Sequence, residues 1–145
     1  MAKITVPIAL IIFKRTETLQ RIVDELNKHE ISKLYIIADG PRTPEEKVET
    51  DKAKSLAENI SAKSVEKIYS EENQGLRQNL TAGITRAFQN SEQLIILEDD
   101  CLPSEAFLES CERLLTEVAN DSTLAGFCGS SFLPRSFDCQ SLFLT

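Results

Sequence analysis

With 145 residues, of which 41% are hydrophobic, the chain carries enough apolar material for one compact domain spanning residues 1–145, with a core of its own. A formal charge of -7 argues against a surface built to neutralise many phosphates, and so against a nucleic-acid partner; a small anionic ligand remains compatible where a metal or local cations offset the repulsion. No stretch nears the ~20 consecutive apolar residues that cross a bilayer, and the N-terminus lacks the basic lead and small-residue cleavage site of a secretory signal, so a cytoplasmic location is expected, free or peripheral at the cytoplasmic membrane face.

Residues 6–13 (Val-Pro-Ile-Ala-Leu-Ile-Ile-Phe) form a continuous apolar run, the pattern of a strand covered on both faces in a parallel sheet. A helix follows, with Thr16 as predicted N-cap, Glu17 in its first turn, and Leu19, Ile22, Val23 and Leu26 as one buried stripe. Residues 34–38 read as a second strand ending in the turn-forming run Asp39-Gly40-Pro41-Arg42. Thr43-Pro44-Glu45-Glu46 is a capping box with proline at the first helical position, which starts a second helix whose buried face is Ala53, Leu56, Ala57 and Ile60.

Residues 65–69 are a short third strand, and Leu76, Leu80, Ile84, Ala87 and Phe88 mark a third helix. Residues 94–97 (Leu-Ile-Ile-Leu) form a fourth strand that runs into Glu98-Asp99-Asp100. Beyond Pro103, the spacing of Phe107, Leu108, Cys111, Leu114, Leu115 and Val118 predicts an amphipathic helix, and residues 124–128 read as a fifth strand. Strands alternating with helices make this an α/β protein with a mostly parallel, Rossmann-like sheet and helices on both faces. Ligands of such sheets bind beyond the carboxyl ends of the strands, where strand order reverses, so the loops after each strand carry the functional expectation.

Three consecutive acids at the end of a buried strand repel one another and resist desolvation unless a cation joins them. A hard divalent ion, Mn²⁺ or Mg²⁺, suits carboxylate oxygens and keeps open positions for substrate phosphates. In an extended segment Glu98 and Asp100 point to one side and Asp99 to the other, which makes Asp100, furthest out, the expected direct ligand. Solvated acids that merely cap the next helix are the plainer reading of the same residues. Asp39 is placed to accept hydrogen bonds from a base or ribose, and Gly40 permits close approach; an ordinary Asp-Gly-Pro turn accounts for the pair equally well. Lys14, Arg15, Arg42 and Arg77 are the cations nearest these loops, arginine being suited to phosphate. No glycine-rich dinucleotide or triphosphate signature follows any strand.

Four cysteines, Cys101, Cys111, Cys128 and Cys139, lack CxxC spacing and read as reduced thiols. The single histidine, His29, falls at the polar end of a predicted helix and reads as a surface residue, so neither a histidine-rich metal cluster nor a Ser-His-Asp triad is assembled.

Taken together, Ile-Ile-Phe-Lys-Arg (11–15), Ala-Asp-Gly-Pro-Arg (38–42), Glu-Asn-Gln-Gly-Leu-Arg (72–77) and Ile-Leu-Glu-Asp-Asp-Cys-Leu-Pro-Ser (96–104) resemble the GT-A glycosyltransferases. The likeness is greatest to the bacterial family-2-like enzymes and the N-acetylglucosaminyltransferase I group, and it extends to the Gly-Phe-Cys-Gly-Ser-Ser-Phe run at 126–132. The resemblance implies that Phe13, Lys14 and Arg15 touch the nucleotide base, that Asp39 binds base or ribose, and that Arg77 lies near the base or phosphates. It further implies that Glu98, Asp99 and Asp100 are the DxD-type motif, with Asp100 on Mn²⁺ or Mg²⁺ and Glu98 or Asp99 toward ribose and sugar. The implied donor is a nucleotide-diphosphate sugar, most often carrying uridine, whose sugar passes to an unidentified acceptor with inversion.

Family members continue well past the equivalent of 142–145 into a second half that supplies acceptor contacts and the general base, a role given to no residue here, so the chain is expected to represent the donor-binding half. A non-catalytic α/β regulatory or protein-interaction module is the main rival. A phosphotransfer receiver domain has too little chain after Asp100, and a nucleotidyltransferase would need a glycine-rich N-terminal loop.

Overall fold

A proline breaks the first apolar run in two. The computed structural model, which describes residues 1–119, 121 and 123–129, divides it into β1 (Lys3–Ile4) and β2 (Ile8–Ile12). Both run parallel to β3 (Glu30–Ala38). Ile4 lies opposite Ile31 and Ile8 opposite Leu34, so Thr5, Val6 and Pro7 face only Ser32 and Lys33, as in a bulge with one extra residue. Pro7 has no N–H to give a ladder. The N–H groups of Thr5 and Val6 turn instead to the carboxylate of Glu112, each at 2.9 Å, on α4 (Glu105–Glu117). The strand read over 6–13 is therefore five residues long, and its two-residue forerunner was too short and polar to show as a pattern.

The other expected elements form with shifted bounds. They are α1 (Thr16–Leu26), α2 (Pro44–Ala57), β4 (Ala62–Tyr69), α3 (Leu76–Phe88) and β5 (Ile95–Glu98). Thr43 caps α2 as its sequence demands, its hydroxyl accepting from the Glu46 N–H at 3.3 Å. Thr16 does not cap α1: Arg15 holds the N-cap position without a side-chain cap bond, as its guanidinium has donors only and cannot accept a helix N–H. The strand expected at 124–128 is absent. Those residues lie outside any strand, with Phe127 packed against the core beside α4 and Gly129 laid on the Phe107 ring.

All strand pairs among the described residues are parallel. β3 sits between β4 and the β1–β2 segment, and β2 pairs on its other side with β5. The chain steps outward from β2 through β3 to β4, then crosses back to place β5 on the opposite side of β2. The strand order thus reverses between β2 and β5, the point at which an open α/β sheet leaves a crevice at its carboxyl edge.

Every residue of β2 is buried, as expected of a strand covered on both faces. Ile8, Leu10 and Ile12 join one core with α1, α2 and α4, while Ala9 and Ile11 join a second, smaller core under α3. β5 alternates strictly: Ile95 and Leu97 are buried and Ile96 and Glu98 are exposed.

Helix α3 buries its expected stripe only in part: Ala87 is buried and Leu80 and Ile84 are half-buried against the smaller core. Leu76 is 72% and Phe88 47% exposed, and the buried line is Asn79, Gly83 and Ala87. A side chain at Gly83 would strike the Ile37 side chain, so this helix lies close against β3 on a face of small residues. His29, read as a surface residue, is buried; its Nδ1 accepts from the Ala2 N–H at 3.2 Å and its Nε2 lies 3.5 Å from Glu25 Oε1. The turn between α1 and β3 folds under the start of the chain and covers it.

Cys101, Cys111 and Cys128 are free thiols, and Cys139 lies outside the described residues. Among the described residues no helix is long and apolar enough to cross a membrane.

Candidate functional site

The crevice predicted by the strand order is a cavity of about 430 Å³ at the carboxyl ends of β2, β3 and β5. Phe13, Lys14, Arg15, Asp39, Arg42, Glu98, Asp99 and Asp100 all line it. Three separate stretches of sequence are thereby brought to one place. Arg77 is not brought with them: it is exposed in the first turn of α3 and does not line the cavity.

The acidic triplet splits as expected, although only Glu98 belongs to β5 and the two aspartates lie in the turn that follows. Asp99 turns inward, 7% exposed, and its carboxylate accepts from the Phe13 N–H at 3.0 Å and from Arg15 Nη1 at 3.3 Å. Glu98 and Asp100 turn outward and are exposed. Arg15 Nη1 also donates to Asp100, and the two acids, Asp100 foremost, raise the arginine's pKa above its ordinary value. The cation that the triplet demands on electrostatic grounds is thus supplied, in the first instance, by the chain itself.

Asp39 is spent largely on the loop that follows β4. Its Oδ1 accepts from the N–H of Gly40 at 2.9 Å and of Gln74 at 2.8 Å, and its Oδ2 from Asn73 Nδ2 at 3.1 Å. A side chain at Gly40 would meet Glu72 O at 2.6 Å and Glu71 O at 2.7 Å. The close approach foreseen for this glycine is therefore to the 71–74 backbone. That loop leads through Gly75, whose φ of +79° suits glycine alone, into α3.

A carboxylate that the sequence marked only as a helix-capping residue organises the basic side of the cavity. Glu46 accepts from Lys14 Nζ at 2.8 Å and from Arg42 Nε at 2.9 Å. These two cations hold its pKa well below the usual carboxylate range, with the Arg42 hydrogen bond the larger cause. Both also flank the Phe13 ring, with Arg42 Cζ 5.5 Å and Lys14 Nζ 5.9 Å from its centroid, within cation–π range. Nothing local in the sequence joins Glu46 to Lys14, 32 residues away.

Asn79, also missed, is 6% exposed and lines the same cavity from α3. The four-residue spacing of Asn79, Gly83 and Ala87 was the available signal that the deepest line of α3 lies beside Leu80 and Ile84, which pack against the core only in part.

Among the described residues no group of three or more histidine, cysteine or acidic side chains gathers to enclose a metal ion. Glu98 and Asp100 are both exposed at the carboxyl end of β5, so these residues do not form a closed protein cage; carboxylate oxygens are the donors that a hard cation such as Mn²⁺ or Mg²⁺ takes at an open site.

Compared with protein-family models, with curated proteins and with solved structures, the chain finds no match.

Proposed function

We propose that this cavity holds the nucleotide-diphosphate sugar donor of a metal-dependent, inverting glycosyltransferase of the GT-A type, its Rossmann-like sheet being the donor-binding frame. The observation that carries the reading is the convergence of Phe13, Asp39 and Asp100 on one cavity at the point where strand order reverses. An aromatic ring, a carboxylate able to accept from a base or ribose, and an outward carboxylate for a hard cation are the three kinds of group a uridine diphosphate needs.

In this reading Phe13 offers a face to the base, Asp39 fixes the base or ribose while bracing the 73–74 loop, and Lys14 and Arg42 stand toward the phosphates. Asp100, with Glu98 beside it, holds Mn²⁺ or Mg²⁺. Asp99 acts through position, pinning the exits of β2 and β5 together, with any contact to the sugar left to its remaining lone pairs. A bound cation offsets negative charge on the departing diphosphate. The general base must reach the acceptor hydroxyl within hydrogen-bonding distance, and no side chain described here is assigned to it.

Calorimetry with UDP and Mn²⁺ tests the proposal. Metal-dependent binding that Asp100→Ala abolishes is the expected result; a flat titration with the folded chain removes it. The Arg15 pairing favours one alternative, a non-catalytic α/β module that needs no ion because its acids are already neutralised. That alternative predicts the flat titration.

A further inference from the structure

The acidic triplet poses an electrostatic question that its own neighbour answers. Arg15 reaches from the N-cap of α1 to Asp99 and Asp100 through a single guanidinium nitrogen, Nη1. Asp99 is a buried partner and also holds the Phe13 N–H, whereas Asp100 is an open one, its side chain 44% exposed. The arginine side chain is itself 59% exposed and lines the cavity. Lys14 and Arg42, the other cations lining the cavity, are both bound to Glu46. Arg15 therefore stands between the carboxylate that would take a cation and the space that would take a phosphate.

We infer that Arg15 is an exchangeable counter-ion that keeps Asp100 from a divalent cation until a phosphate draws the guanidinium away. The inference rests on the donor-binding reading and adds an order of events to it. With the cavity free of phosphate, a cation approaching Asp100 meets a fixed positive charge in hydrogen-bonding contact with its ligand, and a divalent ion feels that repulsion twice as strongly as a monovalent one. A diphosphate offers the guanidinium an anionic partner with a matching array of oxygens. Once Arg15 turns to it, Asp100 is released to the cation that the same phosphates help to hold. Cation and nucleotide then bind as a pair, and the ion alone binds poorly. Asp99 keeps the bond from the Phe13 N–H throughout, so the exchange leaves the strand exits in place.

The test is a titration with Mn²⁺ alone, following free Mn²⁺ by electron paramagnetic resonance, on the wild-type chain and Arg15→Gln. Removing one positive charge about 4 Å from a divalent ion is worth on the order of tenfold in affinity even at the dielectric of water. Arg15→Gln is therefore expected to bind Mn²⁺ alone roughly tenfold more tightly than wild type, and Asp100→Ala in that background to remove the gain. Arg113→Gln, which deletes an exposed charge on α4, is the control for net charge and is expected to match wild type. Arg15→Lys keeps the charge without the fork and is expected to stay within about threefold of wild type, while Arg15→Met, which removes the charge but keeps an unbranched stem, is expected to show the same roughly tenfold gain should the glutamine variant fold poorly.

Equal Mn²⁺ affinities for wild type and Arg15→Gln, with UDP–Mn²⁺ binding still present and sensitive to Asp100→Ala, overturn the counter-ion role and leave the donor site standing. A tenfold gain in Arg113→Gln as well also overturns it. No binding of Mn²⁺ by either protein, with or without UDP, overturns both.

Discussion

Asp99 accepts the backbone N–H of Phe13 at 3.0 Å, a bond between the residue that follows β5 and the residue that follows β2. The β2–β5 ladder ends at the Ile11–Glu98 pair, and at the next residue the Asp99 carboxylate stands in for a backbone acceptor. Two strand exits that are neighbours in the sheet but 86 residues apart in the chain are thereby held at a fixed separation, and Arg15, two residues past Phe13, is delivered to the same carboxylate.

Asp99 and Asp100 should consequently part company in stability, although they are adjacent and chemically identical. Asp99→Ala leaves a partly buried N–H without its acceptor and is expected to lower the unfolding free energy by about 1–3 kcal/mol. Asp100→Ala removes an exposed ion pair and is expected to cost less than about 1 kcal/mol. Urea denaturation of the two variants measures the difference; equal losses would mean that the Phe13 bond does not hold the strands.

Gly83 lies within α3, where alanine ordinarily stabilises a helix by about 1 kcal/mol relative to glycine. Here the added methyl would meet Ile37, a fully buried branched side chain on β3, which has little room to yield. Gly83→Ala is expected to destabilise by about 1–3 kcal/mol, reversing the sign that helix propensity alone dictates. Thermal melts of the variant and of an exposed-face control, Thr81→Ala, check this; a raised melting temperature for Gly83→Ala would show that α3 stands further from the sheet.

Glu46 makes the basic wall of the cavity sensitive to acid. Its carboxylate is held below the ordinary value of 4.5 by Arg42 and Lys14, so the folded state binds its proton less readily than the unfolded one. A depressed carboxylate stabilises fully above its unfolded value and loses that contribution as pH falls through the folded value. The stability gap between wild type and Glu46→Gln is therefore expected to be constant near neutrality and to shrink steadily below about pH 4.5. Urea titrations at pH 7 and pH 3 measure it, and a gap unchanged between them would mean that the charge of Glu46 contributes nothing to the fold.

The sequence by itself determined the class of the fold. Unbroken burial on β2, the Thr43–Pro44 start of α2, the stripe Leu19, Ile22, Val23 and Leu26, and the alternation of strands with helices are local patterns, and the forces behind them act over a few residues. It also determined that the loops after the strands converge, because a parallel sheet places all its carboxyl ends on one edge.

Only the tertiary structure decided which charged groups meet. Arg15 and Asp99 lie 84 residues apart and Lys14 and Glu46 lie 32 apart, and no periodicity encodes such pairings; they follow from strand order and register, which are settled by packing. The same holds where a local pattern was overruled. Apolar spacing centred the inner face of α3 on Leu80 and Ile84, but the closest approach to the sheet is made by the small residues Gly83 and Ala87, and His29 is buried because the chain's first residues fold over it. Patterning reports which residues want to leave water, whereas the partners they find there depend on how the elements stack.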